Sequence, residues 1–213
     1  GLGDVYKRQH LGHLTAAAAV ITTLKLDKLL LIPASIPPHK DLPAGSATAE
    51  QRLEMTRMAG EQLGLGSKVE TLDMEVRRAG KSFTSDTLAE LKAQFPEDEL
   101  WLLMGTDMLL SFDSWREPDE IFRLCWPVYI RREADAALDG EIIRRIARYR
   151  AEYGKTVCRV DAPALEVSST EIRQAVAAGR SIDDMVPPAV AAYIREKNLY
   201  REGDGTHGND RGE

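Results

Sequence analysis

The chain has 213 residues, of which 43% are hydrophobic and 29% are charged, and its formal net charge is −6 at pH 7. This length and composition favour one compact domain with a buried core. The negative charge argues against a nucleic-acid-binding protein, although a local basic pocket for a small anionic ligand remains compatible with it.

Cysteine usage and hydropathy indicate the cellular compartment of the protein. Cys125 and Cys158 lie in apolar surroundings without metal-ligand spacing, which favours reduced thiols and a cytoplasmic protein. No apolar run approaches the roughly 18 residues of a membrane span. The start of the chain lacks the apolar core of a secretion signal.

The two ends of the chain differ from the part between them. Residues 1–9 read GLGDVYKRQ, without an initiator methionine or strand-like alternation, and we expect them to be non-native sequence. Residues 201–213 are rich in glycine and charge with nothing to bury, which predicts a disordered tail. A single domain is therefore expected over residues 10–200.

Short apolar runs alternate with longer helical patterns along that domain. Several runs are apolar throughout, which is typical of parallel strands that are covered on both faces. The predicted strands are 29–32, 69–72, 100–104, 127–130 and 156–160. The predicted helices begin at about residue 13 and continue with 49–63, 86–95, 117–124 and 140–153. This alternation of strands and helices predicts an α/β fold with a Rossmann-like, doubly wound parallel sheet and a ligand at the carboxyl ends of its strands.

No strand is expected beyond residue 164. Two helices are predicted there, at 169–178 and 188–197, and Gly179 is the expected stop of the first. They should form a small C-terminal helical region that packs on one side of the sheet.

The first candidate site is His10-Leu11-Gly12-His13, where an alanine-rich helix begins. Residues three apart lie on one helical face, so both imidazoles can point at one ligand. The unpaired N–H groups of a helix start attract anions, and Gly12 lets a large ligand approach the backbone. The pattern indicates a phosphate site. Two incidental surface histidines are the alternative, and zinc is a third interpretation that no further histidine or cysteine spacing supports.

A second candidate anion site lies in the segment EVSSTEIR near the end of the domain. Ser168 and Glu171 fit a capping box, which explains part of the segment by structure alone. Ser169, Thr170 and Arg173 are not explained in that way, because they would gather hydroxyls and a guanidinium at a second helix start. Two such sites indicate a polyphosphate that is held from both sides.

These two motifs, His-x-Gly-His and Ser-Ser-Thr-x-Ile-Arg, resemble the paired signatures of nucleotidyltransferases with an adenylyltransferase-type Rossmann-like fold. Phosphopantetheine adenylyltransferases and cytidylyltransferases share both. The internal segments are more specific and resemble bacterial nicotinate-mononucleotide adenylyltransferases in order and spacing. They read IPPHK, GKSFTSDTL, MGTDML, SFDSW, VYIRR and SIDDMVPPAVAAYIREKNLY.

The resemblance implies transfer of the adenylyl group of ATP to nicotinate mononucleotide, with magnesium and release of pyrophosphate. It assigns catalytic contacts with phosphate to His10, His13 and Arg173. The implied ATP-binding residues are Gly12, Gly105, Asp107, Ser168, Ser169 and Thr170. The implied nicotinate-mononucleotide-binding residues are Lys40, Thr84, Trp115 and Arg131. No dedicated protein metal site, nucleic-acid partner or membrane partner is expected, and the oligomeric state stays open.

Several of these assignments keep a structural alternative. Trp115 is expected to stack on the nicotinate ring, but a core tryptophan fits the sequence nearly as well. Asp107 follows a strand and either contacts ribose or adenine or caps a helix. Thr84, at a predicted helix start, can offer its backbone N–H to the nicotinate carboxylate.

Three further residues carry weaker signals. Lys40 follows a Pro-Pro turn and is well placed for the substrate phosphate, whereas His39 fits a structural role equally well. Arg131 or Arg132 either lines the nucleotide site or belongs to a solvated basic pair.

One departure from the family's pattern concerns the start of the chain. In the family an apolar first strand and a Gly-Gly-Thr-Phe-(Asp or Asn)-Pro turn precede the histidine motif, and residues 1–9 contain neither. We therefore expect a gap or a poorly packed edge beside the strand 29–32, and low activity of the chain as it stands. Another adenylyl- or cytidylyltransferase and an inactive nucleotide-binding protein remain the alternatives.

Overall fold

Helices and strands alternate along the chain, as the sequence predicts. The structure is a computed structural model that describes residues 11–35, 46–78, 80–131, 133–162, 167 and 169–201. The helices are α1 (Leu11–Leu24), α2 (Ala49–Glu61), α3 (Met74–Arg77), α4 (Thr84–Gln94), α5 (Thr106–Ser111), α6 (Pro118–Leu124), α7 (Asp139–Tyr153), α8 (Ser169–Ala177) and α9 (Pro188–Glu196). The strands are β1 (Leu29–Leu31), β2 (Val69–Thr71), β3 (Leu100–Met104), β4 (Cys125–Arg131) and β5 (Cys158–Asp161).

Every strand pair in the described part of the chain is parallel. β1 pairs with β2, and β4 lies between β3 and β5. The predicted α/β class is therefore confirmed. The described strands nevertheless form two separate sheets, because no hydrogen-bonded ladder among the described residues joins β1 to β3.

A cleft with a volume of about 590 Å³ lies between these two sheets. Its walls include Leu29 and Leu30 of β1, Leu103 of β3 and Leu91 of α4. Residues 25–28 and 97–99, which precede β1 and β3, line its mouth at the amino ends of the strands. Residues 1–10 lie outside the described part of the chain, so the expected poorly packed edge beside the strand 29–32 stays a prediction.

The main core covers the three-stranded sheet. Buried side chains of β3 and β4 pack there against an aromatic cluster of Phe112, Phe122, Tyr149 and Tyr153. Cys125 also lies in this core, and burial raises the pKa of its thiol to about 12. Both cysteines are free, as the sequence predicts.

The two C-terminal helices build a second core with α2. Ile172 of α8 and Ile194 of α9 pack with Met55 and Ala59 of α2, and no strand residue belongs to this cluster. The two helices therefore share this hydrophobic cluster with α2. Gly60 allows α2 to lie close to the β1–β2 sheet, because a Cβ at this position would lie 3.0 Å from Leu31 of β1.

Element boundaries mostly match the prediction. The first C-terminal helix ends at Ala177, and Gly179 adopts a φ of +67° where its N–H donates to the Val176 carbonyl. β4 extends through Pro127, which was expected to begin it. A proline is tolerated there because β5 pairs with β4 only from Val128 onward. None of the helices in the described ranges is long and apolar enough to cross a membrane.

Candidate functional site

The carboxyl ends of β3 and β4 lie side by side, because Met104 is opposite Tyr129 in the parallel register. Gly105 follows Met104 and is the N-cap residue of α5, without a side-chain cap. Asp107 is exposed in the first turn of that helix, so it is not the cap. Its carboxylate stands at the sheet edge where doubly wound folds bind ligands.

A buried polar cluster that the sequence analysis did not identify lies beneath this edge. The Thr106 hydroxyl donates to the Asp135 carboxylate at 2.6 Å, and the Tyr129 hydroxyl donates to the same oxygen at 3.4 Å. Burial raises the pKa of Tyr129. The cluster joins α5 to the turn that follows β4, and it thereby fixes two loops of the candidate site.

Arg131, at the end of β4, is held by an ion pair. Its Nε and Nη2 atoms donate to the two carboxylate oxygens of Asp139 at 2.9 and 2.7 Å. These hydrogen bonds hold the pKa of Asp139 below its usual value. A substrate contact by Arg131 would have to use its remaining Nη1 atom or displace Asp139, and its role stays a prediction.

Trp115 packs partly into the core, and its stacking on a ligand ring stays a prediction. Its ring packs against Phe112 with centroids 5.0 Å apart, and its indole N–H donates to the Ser111 hydroxyl at 3.4 Å. The residue remains only partly buried. One side of the ring therefore belongs to the core, while the exposed part stays accessible to a ligand ring.

The start of α4 carries buried hydroxyls without partners. Ser82, Thr84 and Ser85 are 4%, 5% and 2% exposed, and within the described ranges their hydroxyl oxygens have no hydrogen-bond partner. Such groups are rare in folded proteins, because burial removes their water. They lie beside the unpaired N–H groups of a helix start, an arrangement that suits a bound carboxylate or phosphate.

Arg116 joins this helix start to Trp115. Its guanidinium pairs with Asp86 of α4 at 3.2 Å and lies over the ring of Phe83, 4.7 Å from the centroid. Arg116 follows Trp115 in the chain, so its ion pair links the segment that carries Trp115 to the start of α4. A common site for Trp115 and Thr84 stays a prediction.

A second network that the sequence analysis missed connects α4 with Glu75 of α3 and with Arg78. The buried Thr87 hydroxyl donates to Glu75 at 2.7 Å and accepts from Arg78 at 3.1 Å. Arg78 also pairs with Glu90. The partners are nine and twelve residues apart in sequence, so only the folded chain reveals the network.

The start of α8 gathers three predicted phosphate-binding residues. The helix begins at Ser169, and the Thr170 hydroxyl accepts from Arg173 at 3.1 Å. Ser169 and Arg173 line a small cavity together with Arg52 and Thr56 of α2. Its volume of about 20 Å³ holds roughly one water molecule.

The remaining predicted residues lie wholly or partly outside the described part of the chain. His10, Lys40 and Ser168 lie outside the described residues, as do His39 and Arg132. Gly12 and His13 lie in the first turn of α1, which agrees with the predicted helix start, but the side chain of His13 is outside the described part. Among the described residues, no three His, Cys, Asp or Glu side chains form a metal site.

Comparison with known proteins identifies the family. Residues 5–175 match the family described as cytidylyltransferase-like. A protein of Citrifermentans bemidjiense named "probable nicotinate-nucleotide adenylyltransferase" is 36% identical over 211 residues, which cover 93% of this chain and 96% of that protein. The chain belongs to the nicotinate-nucleotide adenylyltransferase family. A relative of the same name from Synechococcus sp. is 37% identical over 93% of this chain and 92% of its own length.

The overall fold of this nicotinate-nucleotide adenylyltransferase family member also matches a solved structure. Plasmodium falciparum nicotinic acid mononucleotide adenylyltransferase complexed with NaAD superimposes with a TM-score of 0.74 at 18% identity. The match covers 92% of this chain and 93% of the other. It supports the nucleotidyltransferase fold.

Proposed function

We propose that this chain transfers the adenylyl group of ATP to nicotinate mononucleotide, which gives nicotinate adenine dinucleotide and pyrophosphate in NAD biosynthesis. The observation that carries this proposal is the 36–37% identity to relatives named for the reaction, over 93% of the chain. The geometry around α4 and α8 supports the proposal. Each helix start offers hydrogen-bond donors for an anionic group, the nicotinate carboxylate at α4 and the ATP phosphates at α8.

The α4 start is the proposed nicotinate side. The ring would stack on the accessible part of Trp115, and its carboxylate would accept hydrogen bonds from the Thr84 N–H and the buried hydroxyls of Ser82, Thr84 and Ser85. Those donors pair better with a carboxylate than with a carboxamide, which itself carries two N–H donors. The acid is therefore the proposed substrate rather than the amide.

The starts of α1 and α8 are the proposed ATP side. The phosphate of nicotinate mononucleotide is already an anion, so the reaction needs no nucleophile from the protein. The protein has to hold both phosphates in line and stabilise the charge that develops on the leaving pyrophosphate. His10, His13 and Arg173 are the proposed groups for that task, with Gly12, Ser169 and Thr170 around the phosphates and Gly105 and Asp107 beside the nucleoside.

Magnesium is proposed to arrive with ATP rather than in a protein cage. Mg²⁺ commonly combines substrate phosphates, waters and one or two carboxylates. The ion would screen the negative charge of the phosphates.

The test is a direct assay of both products. We would incubate ATP, Mg²⁺ and nicotinate mononucleotide with the chain and with a variant in which residues 1–9 are replaced by an apolar strand and a Gly-Gly-Thr-Phe-Asp-Pro turn. The expected result is dinucleotide and pyrophosphate in equal amounts from the variant. Absence of dinucleotide with both proteins would overturn the proposal.

A further inference from the structure

A partly buried ion pair holds the short helical turn Phe112–Ser114, which comes directly before Trp115. One carboxylate oxygen of Asp113 accepts a hydrogen bond from the Nη1 atom of Arg145 at 2.7 Å, and the Nη1 atom of Arg148 lies 3.3 Å from the same oxygen. The side chains of Asp113 and Arg145 are 27% and 28% exposed, so water and salt screen their attraction less than that of a surface pair. The pair joins this turn to α7.

Phe112 anchors the same turn on its apolar side. The residue is fully buried, and its ring centroid lies 4.9 Å from that of Phe122 and 5.7 Å from that of Tyr149. The Tyr149 hydroxyl also donates to the Leu109 carbonyl of α5 at 2.8 Å. Aromatic packing and the ion pair thus hold the turn against one face of α7.

The orientation of Trp115 follows from this turn. Its backbone N–H donates to the Phe112 carbonyl at 3.1 Å, and its indole N–H donates to the Ser111 hydroxyl at 3.4 Å. Its ring packs against that of Phe112 with centroids 5.0 Å apart. These three contacts are all with residues 111 and 112, so a movement of the turn moves the indole as well.

The turn itself does not require a carboxylate at position 113. The hydrogen bond that closes it joins the Trp115 N–H to the Phe112 carbonyl and uses no side chain of residue 113. The carboxylate instead reaches Arg145, which is 32 residues away in the sequence. A charge-assisted hydrogen bond of this kind fixes the relative position of the two elements that it joins.

We propose that Asp113 is a positioning residue that, through Arg145, fixes the indole of Trp115 in the orientation that stacks on the pyridine ring of nicotinate mononucleotide. This inference rests on the proposed function, in which Trp115 binds that ring. Stacking requires a defined ring plane and distance, and a ring that is held in place before binding loses less conformational entropy when the ligand arrives. Loss of the pair should therefore weaken the binding of nicotinate mononucleotide rather than that of ATP.

The first test observes the indole without reference to activity. In the full chain labelled with fluorotryptophan, the three tryptophans give three fluorine NMR resonances, and Trp115→Phe assigns one of them. Asp113→Ala and Arg145→Met should each shift or broaden the Trp115 resonance and leave the other two in place. The matched control is Glu120→Gln, which removes the carboxylate of the Glu120–Arg123 ion pair within α6 and should leave all three resonances in place.

The second test measures substrate binding. In the variant with residues 1–9 replaced, Asp113→Ala should raise KM for nicotinate mononucleotide by about fivefold and leave KM for ATP near its original value. Adding Arg145→Met to Asp113→Ala should raise it no further, because the pair is already broken. If Asp113→Ala does not fold, Asp113→Asn decides, because it keeps the shape of the side chain and should change KM in the same direction.

Three outcomes would overturn the proposal. The first is a Trp115 resonance that Asp113→Ala leaves in place, and the second is an equal rise of both KM values, which indicates a general loss of structure. The third is a further rise of KM when Arg145→Met is added, which would mean that the two residues act independently. If no protein forms dinucleotide, the proposed function fails, and the fluorine resonance then still decides whether Asp113 fixes Trp115.

Discussion

Buried hydroxyls at the start of α4 and the hydroxyl of Thr87 on the same helix differ in their hydrogen bonding. The Thr84 hydroxyl has no partner in the described part of the chain, whereas that of Thr87 bonds Glu75 and Arg78. A polar group that is kept for a ligand costs stability in the free protein, while a satisfied one contributes to it. Isosteric substitutions can separate the two roles.

We predict that Thr84→Val leaves the free protein as stable as before or slightly more stable, and raises KM for nicotinate mononucleotide by about tenfold. Thr87→Val should instead lower the free energy of unfolding by about 1–3 kcal/mol, because it removes the buried hydrogen bonds of the Thr87 hydroxyl with Glu75 and Arg78. Urea unfolding and steady-state kinetics measure both. Equal destabilisation by the two variants would argue against a ligand-binding role of the Thr84 hydroxyl.

The Arg131–Asp139 pair predicts a pH dependence. Hydrogen bonds from Arg131 lower the pKa of Asp139, so its stabilising contribution is complete above the unfolded pKa of about 4 and is lost as the pH falls through the lower folded pKa. Asp139→Asn should therefore reduce Tm near neutral pH. The two Tm curves should converge in acid, and a constant offset at every pH would contradict this account.

At the scale of elements, Gly60 controls how closely α2 approaches the β1–β2 sheet. A Cβ there would lie 3.0 Å from Leu31 and 3.2 Å from Val69, and Leu31 is fully buried. Gly140, in the first turn of α7, is the matched helical control, because its Cβ would meet only the flexible Arg144 at 3.7 Å.

Gly60→Ala is expected to destabilise the protein by up to about 2 kcal/mol, since overpacking of about 1–3 kcal/mol exceeds the gain in helix propensity. Gly140→Ala should be neutral or stabilise by up to about 1 kcal/mol. Urea unfolding compares them directly. A stabilising Gly60→Ala would mean that α2 and the sheet can move apart at little cost.

The sequence predicted apolar strands and long helices better than short helices. β1 and β3 are recognisable as apolar runs, and Gly179 marks the end of α8. The four-residue α3 and six-residue α5 escaped notice because so few residues show no period. The Thr106–Asp135 contact joins residues 29 apart, and the buried Arg52 guanidinium donates to main-chain carbonyls that no side-chain pattern reveals.

At the scale of the whole molecule, the described strands leave a cleft between β1 and β3. An apolar parallel strand between β1 and β3 would bury the apolar walls of the cleft and thereby stabilise the protein. We predict that the variant with residues 1–9 replaced, as defined above, has a higher Tm and much higher activity than the unaltered chain. Similar melting and activity of the two proteins would mean that the cleft needs no further strand.

The central claim is the identity of the acceptor substrate. The most direct measurement is a competition in which that variant receives ATP, Mg²⁺ and equal amounts of nicotinate mononucleotide, nicotinamide mononucleotide and phosphopantetheine, with the products resolved by chromatography. The account predicts that nicotinate adenine dinucleotide dominates, because Trp115 and the α4 start select an aromatic carboxylate. An equal or larger yield from phosphopantetheine would contradict it.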